Sequence, residues 1–247
     1  MSDISVVIPA LNEEKYLPRL LQSLAEQTCT DFEVVVVDGA SQDKTVPVAR
    51  SFGARLAALQ VIVSPQRGVS LQRNLGAQAA RGQWLVFVDA DSRVSPHFIE
   101  RIEQFIHDRQ PEFFTIWTLP DGDTPRDAIL ALIVNLYIEG SIVAQRAIAP
   151  GAMIGVRHDL FDRLGGFDES ITFSEDFDLT QRLIAEGAPL NVLRETLYVY
   201  SLRRVRKDGL LHFLLFYSRA TLLALFTRRT PHQARAYVLG GQYFETR

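Results

Sequence analysis

The sequence predicts an α/β fold: a mostly parallel, Rossmann-like sheet flanked by helices, with a helical tail at the carboxyl end. Three observations predict it. Apolar runs of strand length alternate with amphipathic runs of helix length, the pattern of a parallel sheet with helices on both faces. Trp84-Leu85-Val86-Phe87-Val88 is a continuous run of five apolar residues after Arg81-Gly82, which reads as a strand buried on both faces. That run ends in Asp89-Ala90-Asp91, two carboxylates at the strand edge where open α/β sheets bind ligands.

The elements follow in order. Residues 4–9 read as the first strand, and Asn12-Glu13-Glu14 as a turn and acidic helix start. Leu17, Leu20, Leu21 and Leu24 recur at i, i+3, i+4 and i+7, one face of a helix, and Pro18 is tolerated in its first turn. Residues 32–37 form a second strand, 43–52 a short helix, 60–63 a third strand, 70–80 a helix and 83–88 the fourth strand. Beyond Asp91 the expectation is a helix over 96–108, a strand over 113–119 and a turn at 120–123. A long helix over 125–146 and a strand over 151–156 follow, then a helical turn over 158–164 closed by Gly165-Gly166. Residues 176–186 form a helix ended by Gly187, as glycine often ends helices, and two short strands lie near Leu190 and over 197–200. Ile129, Leu132, Ile133, Leu136 and Tyr137 form an apolar stripe on the long helix and are read as core.

Composition narrows the class. The chain has 247 residues, 47% of them hydrophobic, and a net charge of −3. That suits one large domain and gives no global reason to expect a nucleic-acid partner. One cysteine, Cys29, allows no internal disulfide framework and fits a reducing compartment. The amino terminus has no basic n-region, so no secretory signal is expected. No uncharged apolar run reaches the roughly 18 residues of a bilayer span; residues 210–226 come closest and are interrupted by Arg219. The expected location is cytoplasmic, with peripheral contact at the inner face of the membrane left open. The five histidines are scattered without metal-ligand spacing.

The acids carry the chemistry. Two spaced, hard oxygen ligands at Asp89 and Asp91 suit Mg²⁺ or Mn²⁺ that keeps water and diphosphate oxygens; the plain alternative is a polar turn. Asn12-Glu13 and Asp38-Gly39-Ala40-Ser41 end the first two strands on the same edge. Asp38 can accept from a ribose hydroxyl or a pyrimidine imide, or can cap a helix. Arg73, on the helix before the fourth strand, has a guanidinium suited to a diphosphate, and Gly76 allows close helix–sheet contact. Glu175 and Asp176 sit where a loop enters a helix. The helix dipole is expected to lower a carboxylate pKa there and keep it ionised as a general base. No dinucleotide Gly-x-Gly-x-x-Gly and no phosphate-loop motif is present.

These pieces, taken in order, resemble family 2 glycosyltransferases. The likeness lies in Val6-Val7-Ile8-Pro9-Ala10-Leu11-Asn12-Glu13-Glu14, Val37-Asp38-Gly39-Ala40-Ser41-Gln42-Asp43-Lys44-Thr45 and Arg73-Asn74-Leu75-Gly76. It continues in Phe87-Val88-Asp89-Ala90-Asp91, Gly165-Gly166-Phe167-Asp168-Glu169 and Ser174-Glu175-Asp176. The resemblance implies a GT-A fold over 1–200, with a nucleotide-binding half (1–91), an acceptor half (92–200) and a basic, apolar tail (201–247). It implies inverting transfer of a sugar from a UDP- or GDP-linked donor. Pro9, Asn12, Glu13 and Arg73 would line the donor. Asp38 would touch the base or ribose, Asp89 the ribose or a metal-bound water, and Asp91 the Mg²⁺ or Mn²⁺. Asp176, with Glu175 beside it, would be the base.

The resemblance has departures. Many members carry a histidine beyond the acidic helix as a metal or phosphate ligand, where this chain reads Tyr198-Val199-Tyr200-Ser201-Leu202-Arg203-Arg204. Arg203 or Arg204 is read as neutralising the diphosphate instead, reducing reliance on metal. The Gln-x-x-Arg-Trp motif of processive synthases is absent, so single-sugar transfer is expected. The basic cluster Arg203, Arg204, Arg206 and Lys207 precedes the apolar segment 210–226, read as packing on the domain, with a membrane or homodimer contact as alternatives. If it meets lipid, the acceptor is lipid-linked or a polyprenyl phosphate; otherwise it is a carbohydrate. Three rival readings use the same acids. A phosphatase with Asp89 as nucleophile and Asp91 as acid would place its aspartates after the first strand. A nucleotidyltransferase making the sugar donor would need a glycine-rich first loop. A binding module without catalysis would not need Asp89, Asp91 and Asp176 together.

Overall fold

The computed structural model describes residues 3–171 and 174–209. The apolar segment 210–226, and the rest of the tail beyond Gly209, lie outside the described residues. In chain order the elements are β1 (Ile4–Ala10), α1 (Leu17–Ala25), β2 (Glu33–Asp38), α2 (Thr45–Ser51), β3 (Leu59–Val63), α3 (Val69–Ala79) and β4 (Trp84–Val88). They continue as β5 (Arg93–Val94), α4 (Phe98–Arg109), β6 (Phe113–Pro120), α5 (Pro125–Val143), β7 (Met153–Arg157) and α6 (His158–Arg163). The last are α7 (Glu175–Ala185), β8 (Leu190–Tyr200) and α8 (Arg203–Asp208).

The strands form one sheet in the order β3-β2-β1-β4-β7-β6-β8-β5. β3, β2, β1 and β4 are mutually parallel. β7 runs antiparallel to both β4 and β6, β8 is parallel to β6, and β5 is antiparallel to β8. The sheet is therefore mostly parallel, as the sequence predicts. Ala10 pairs with Asp38 and Val7 with Phe87, so the carboxyl ends of β1, β2 and β4 open on one edge. Side chains alternate along each strand: Ile4, Val6, Ile8, Val34 and Val36 pack with α1 and α4 on one face. Val7, Val35, Val37, Leu85 and Phe87 pack with α3, α6 and α7 on the other. This double burial explains the continuous apolar runs of the sequence.

α1 buries Leu17, Leu20, Leu21 and Leu24 as its spacing requires. α3 approaches the sheet closely at Gly76: a Cβ there would lie 2.3 Å from Val7 Cγ1 and 3.2 Å from Val37 Cγ2. The expected role of Gly76 in helix–sheet contact is therefore met, and this close approach sets the depth at which the rest of α3 sits.

Three expectations need correction. The two short strands after α7 are one strand, β8, interrupted in its pairing: Ile116 faces Leu193 and Thr118 faces Tyr198, so two steps along β6 match five along β8. The residues between bow out of the ladder and mimic a loop in sequence. The second correction is β5, a two-residue edge strand with too little pattern to be read. The third is α5. Its apolar stripe is exposed, not core: Ile129 and Leu136 are each 59% accessible, and Leu132, Ile133 and Tyr137 are exposed with them. The helix turns Leu130, Ala131, Asn135, Ile138 and Ser141 inward instead. Asn135 explains the choice. β7 pairs with β6 only at Phe113 and Phe114, leaving the backbone further along that edge in need of partners. The Thr118 N–H donates to Asn135 Oδ1 at 3.0 Å, and Asn135 Nδ2 donates to the Thr118 carbonyl at 3.0 Å.

Gly76→Ala tests the α3 packing. Alanine is worth up to about 1 kcal/mol over glycine by helix propensity, but overpacking against Val7 costs about 1–3 kcal/mol. Urea denaturation should show net destabilisation; a neutral or stabilised variant would contradict the close approach.

Candidate active site

The site begins with two interlocked loops. The loop after β1 carries Asn12 in the left-handed region, φ 54°. The Asn12 N–H donates to Ser41 Oγ at 2.8 Å, the Gln42 N–H donates to Asn12 Oδ1 at 2.8 Å, and the Glu13 N–H donates to Thr45 Oγ1 at 2.8 Å. Asn12 thus shapes the loop after β2, while Pro9 sits buried within β1 opposite Val37. At the end of β2, Asp38 Oδ2 accepts from the Ser41 N–H at 3.0 Å. Its Oδ1 is buried with no hydrogen-bond partner among the described residues. A buried acceptor left unmatched is costly, so this oxygen is a ready partner for a ligand N–H or O–H. Gln72 on α3 stitches the two strand ends together, its Nε2 donating to the carbonyls of Ala10 at 2.8 Å and Val37 at 2.7 Å. Sequence reasoning missed it. The available signal was Ser70, Gln72, Arg73 and Asn74 all lying on a helix that packs on the sheet, and all four are buried.

Arg73 is the junction of the site. Its side chain is 3% exposed, with Nη1 2.8 Å from Glu175 Oε1 and Nη2 3.1 Å from Asp89 Oδ1. Nη2 also donates to the Gly151 carbonyl at 2.7 Å, and the guanidinium lies over the Phe167 ring at 5.1 Å. This is not a solvated surface arginine: Nη1 and Nη2 are committed to protein groups, while the buried Nε has no hydrogen-bond partner among the described residues. Asn74, next on the helix, holds the Gly165-Gly166 loop. Its Oδ1 accepts from the Phe167 N–H at 2.9 Å, while Nδ2 donates to the Phe167 carbonyl and to Glu169 Oε1, each at 2.9 Å.

Asp176, in the first turn of α7, is held by the same strand entry. The Gly151 N–H donates to Asp176 Oδ2 at 2.7 Å, and the Phe177 N–H donates to Oδ1 at 2.8 Å. Gly151 therefore ties Arg73 through its carbonyl and Asp176 through its amide. A Cβ at Gly151 would lie 2.9 Å from Asp176 Cβ, so the contact requires glycine. Here the expected pKa direction is reversed. Enclosure among protein atoms, with the neighbouring Glu175 carboxylate, raises Asp176 to about 6. The two N–H groups and Arg73 lower it but do not prevail.

A second ionic cluster faces the first. Arg203 on α8 donates from Nη1 to Glu13 Oε2 at 2.8 Å and from Nη2 to Glu13 Oε1 at 2.6 Å. Its Nε lies 2.6 Å from Asp91 Oδ2. Burial, then the Asp89 and Glu13 carboxylates, push Asp91 up to about 7 against the pull of Arg203. Burial likewise raises Glu13, again against Arg203. Arg204 lies on α8, but its side chain is outside the described residues. The structure thus brings Arg73 with Asp89 and Glu175, and Arg203 with Glu13 and Asp91, into two salt-bridge clusters, with Asp176 hydrogen-bonded to Gly151 beside the first and Asp38 at the adjacent strand end.

The acids suit a divalent cation of limited protein coordination. Crowded carboxylates that raise one another's pKa are stabilised by added positive charge. Among the described residues no three His, Cys, Asp or Glu side chains converge on a full metal cage. Mg²⁺ binds in that manner, through one or two carboxylates with the remaining positions filled by water and substrate phosphates.

A mostly parallel sheet with acids gathered at the carboxyl ends of β1, β2 and β4, and a further acid on a later helix, is the arrangement of a GT-A-type fold. Residues 5–165 match the profile described as Glycosyl transferase family 2, and the chain belongs to that family. A curated relative from Haemophilus influenzae, described as an uncharacterized glycosyltransferase, is 26% identical over 188 residues. The match covers 74% of this chain and 62% of that protein, so this chain spans less than two thirds of its length. Among solved structures, Staphylococcus aureus TarS 1-349 in complex with UDP-GlcNAc aligns with a TM-score of 0.65 at 22% identity, over 92% of this chain and 72% of that one. The mannosyltransferase PcManGT from Pyrobaculum calidifontis, in complex with GDP-Man and Mn²⁺, aligns with a TM-score of 0.66 at 22% identity, over 88% of this chain and 64% of that one. These two likenesses show the fold.

Arg73→Ala leaves Asp89 and Glu175 without their shared cation. Removing one partner of a buried pair costs about 3–5 kcal/mol; Asp89 is 38% exposed on its side chain, which places the expected loss at the lower end, about 3 kcal/mol. Chemical denaturation measures it, and a change under about 1 kcal/mol would remove Arg73 from this role.

Proposed function

We propose that the chain transfers a single sugar from a UDP- or GDP-linked donor to a hydroxyl or lipid-phosphate acceptor, with inversion at the anomeric carbon. One observation carries the reading: Arg73 holds Asp89, at the end of the β4 strand, and Glu175, beside Asp176, in one buried junction. Donor-side and acceptor-side acids are thereby fixed against each other. The relatives named with UDP-GlcNAc and with GDP-Man and Mn²⁺ support a nucleotide-sugar donor of either base. Asp38, with its unmatched buried oxygen, can accept from the imide N–H of uridine, and the N1–H of guanosine offers the same kind of donor.

In this reading the acceptor oxygen attacks the anomeric carbon in line with the departing diphosphate. Asp176 takes the acceptor proton, the new C–O bond forms, and the bond to the diphosphate oxygen breaks with its electron pair. A general base works best with a pKa near the operating pH, and enclosure places Asp176 at about 6. Mg²⁺ or Mn²⁺ at Asp91 and Asp89 would offset charge on the leaving diphosphate. Arg203 supplies further positive charge at the same strand ends. Pro9, Asn12 and Glu13 support the donor through the first loop, and Glu175 orients the base helix through Arg73.

Family membership favours this reading over a phosphatase or a donor-forming nucleotidyltransferase. Among the described residues no helix is long and apolar enough to cross a membrane. Carbohydrate, lipid-linked and polyprenyl-phosphate acceptors, a peripheral membrane contact and a homodimer stay within the proposal. Co-sedimentation with anionic vesicles at low salt separates the lipid acceptors from the rest.

Asp176→Asn should keep donor affinity and lose about 10²–10⁴-fold in turnover, the usual worth of a positioned base. Near-wild-type turnover would remove Asp176 from the role. For a hydroxyl acceptor, the wild-type kcat/KM should be level above pH 7 and fall about tenfold per unit below about 6, because the working form is the deprotonated one. A profile flat to pH 4.5 would contradict the raised pKa. A thermal-shift screen of UDP- and GDP-sugars with Mn²⁺ should raise Tm for the true donor, since ligand binding to the native state stabilises it by mass action. No shift with any nucleotide sugar would count against a donor site.

A further inference from the structure

Where α8 crosses the carboxyl ends of β1 and β4, one guanidinium is gripped from several sides. Arg203 meets both oxygens of Glu13, at 2.8 and 2.6 Å, and its Nε lies 2.6 Å from Asp91 Oδ2. It lies over the Tyr16 ring at 5.3 Å, and its side chain is 10% exposed. α8 is fastened from the other side by Asp121. That carboxylate accepts from Arg206 at 3.0 and 2.8 Å and from the Leu202 N–H at 2.8 Å. The cation at Asp91 is thus part of the fold, held in place from two loops.

We propose that Arg203 is the resident counterion of Asp91 and competes with the divalent cation for it, so that metal binds firmly only once the donor diphosphate has drawn Arg203 away. The proposal rests on reading Asp91 as the metal ligand. A guanidinium at hydrogen-bond distance already occupies one carboxylate oxygen, and a second cation beside it meets like-charge repulsion in a partly desolvated site. A diphosphate offers the guanidinium fork a partner at least as good as a carboxylate, and its own oxygens then complete the coordination of the incoming metal. Donor and metal should therefore bind synergistically, each raising the affinity of the other by the same factor. Arg203 would so guard the site against metal without donor.

The test is Mn²⁺ binding itself, followed by calorimetry or by the electron paramagnetic resonance of free Mn²⁺, on the full chain with and without UDP or GDP. Wild type should bind Mn²⁺ weakly alone and much more tightly with the nucleotide. Arg203→Gln should bind Mn²⁺ alone about tenfold more tightly, within the usual range of such couplings, and should gain less from nucleotide. Arg203→Lys, which keeps the charge and gives up the fork, should fall between and guards against a folding failure of the glutamine variant. Arg157→Gln removes one positive charge from an exposed site opposite Trp84, at the far end of β4 from Asp91, and should change Mn²⁺ affinity less than about twofold, short of even the weakest usual coupling. Equal or weaker Mn²⁺ binding by Arg203→Gln, or an equal gain from Arg157→Gln, would overturn the proposal. Asp91→Asn keeps the two readings apart. If it abolishes Mn²⁺ binding while Arg203→Gln has no effect, only the competition fails; if it leaves Mn²⁺ binding intact, the metal-site reading fails with it.

Discussion

The buried guanidinium of Arg73 is the contact on which the rest of the site depends. It is the shared partner of Asp89, Glu175 and the Gly151 carbonyl, groups drawn from three separate stretches of chain. A charge at that depth is tolerated only when paired and hydrogen-bonded, and the surrounding residues meet that need. Gly76 lets α3 lie deep against the sheet, Phe167 presents its ring to the guanidinium face, and Asn74 fixes the Phe167 backbone. The run of polar residues on α3 largely serves one requirement: to bring a cation under two acids and keep it there.

The second organising constraint is an excess of carboxylate. Both Asp91 and Asp176 are raised, to about 7 and about 6, chiefly because burial disfavours their charged forms. Arg203 and Arg73 offset this without cancelling it. The result is that Asp91 and Asp176 are both held closer to neutral pH than an ordinary aspartate. The same physics that makes these residues expensive to bury makes them responsive to substrate.

Much of the fold was legible because it rests on local pattern. The run 84–88 is apolar throughout because β4 is buried on both faces, and the Leu17, Leu20, Leu21, Leu24 spacing fixes the inner face of α1. What could not be read depended on contacts distant in sequence. On α5 the spacing found an apolar stripe, but the inward face was decided by Asn135 completing the backbone pairing of Thr118, a partner on another element. β8 looked like two strands because its ladder slips beside Ile116. In the site, the strand-end positions of Asp38, Asp89 and Asp91 and the helix-entry position of Asp176 were legible. The depth of Arg73 was not, nor the stitching by Gln72, nor the double role of Gly151. The direction of the Asp176 shift was misjudged because a helix dipole is visible in sequence and enclosure is not.

The proposed transfer, a single in-line displacement with Asp176 as base, can be tested without knowing the acceptor. With water as acceptor, slow hydrolysis of an α-linked UDP- or GDP-sugar can be followed at the anomeric proton by ¹H NMR before mutarotation scrambles the product. The account predicts that the β-anomer accumulates first and that Asp176→Asn suppresses it. First appearance of the α-anomer, or a rate indifferent to Asp176, would contradict it.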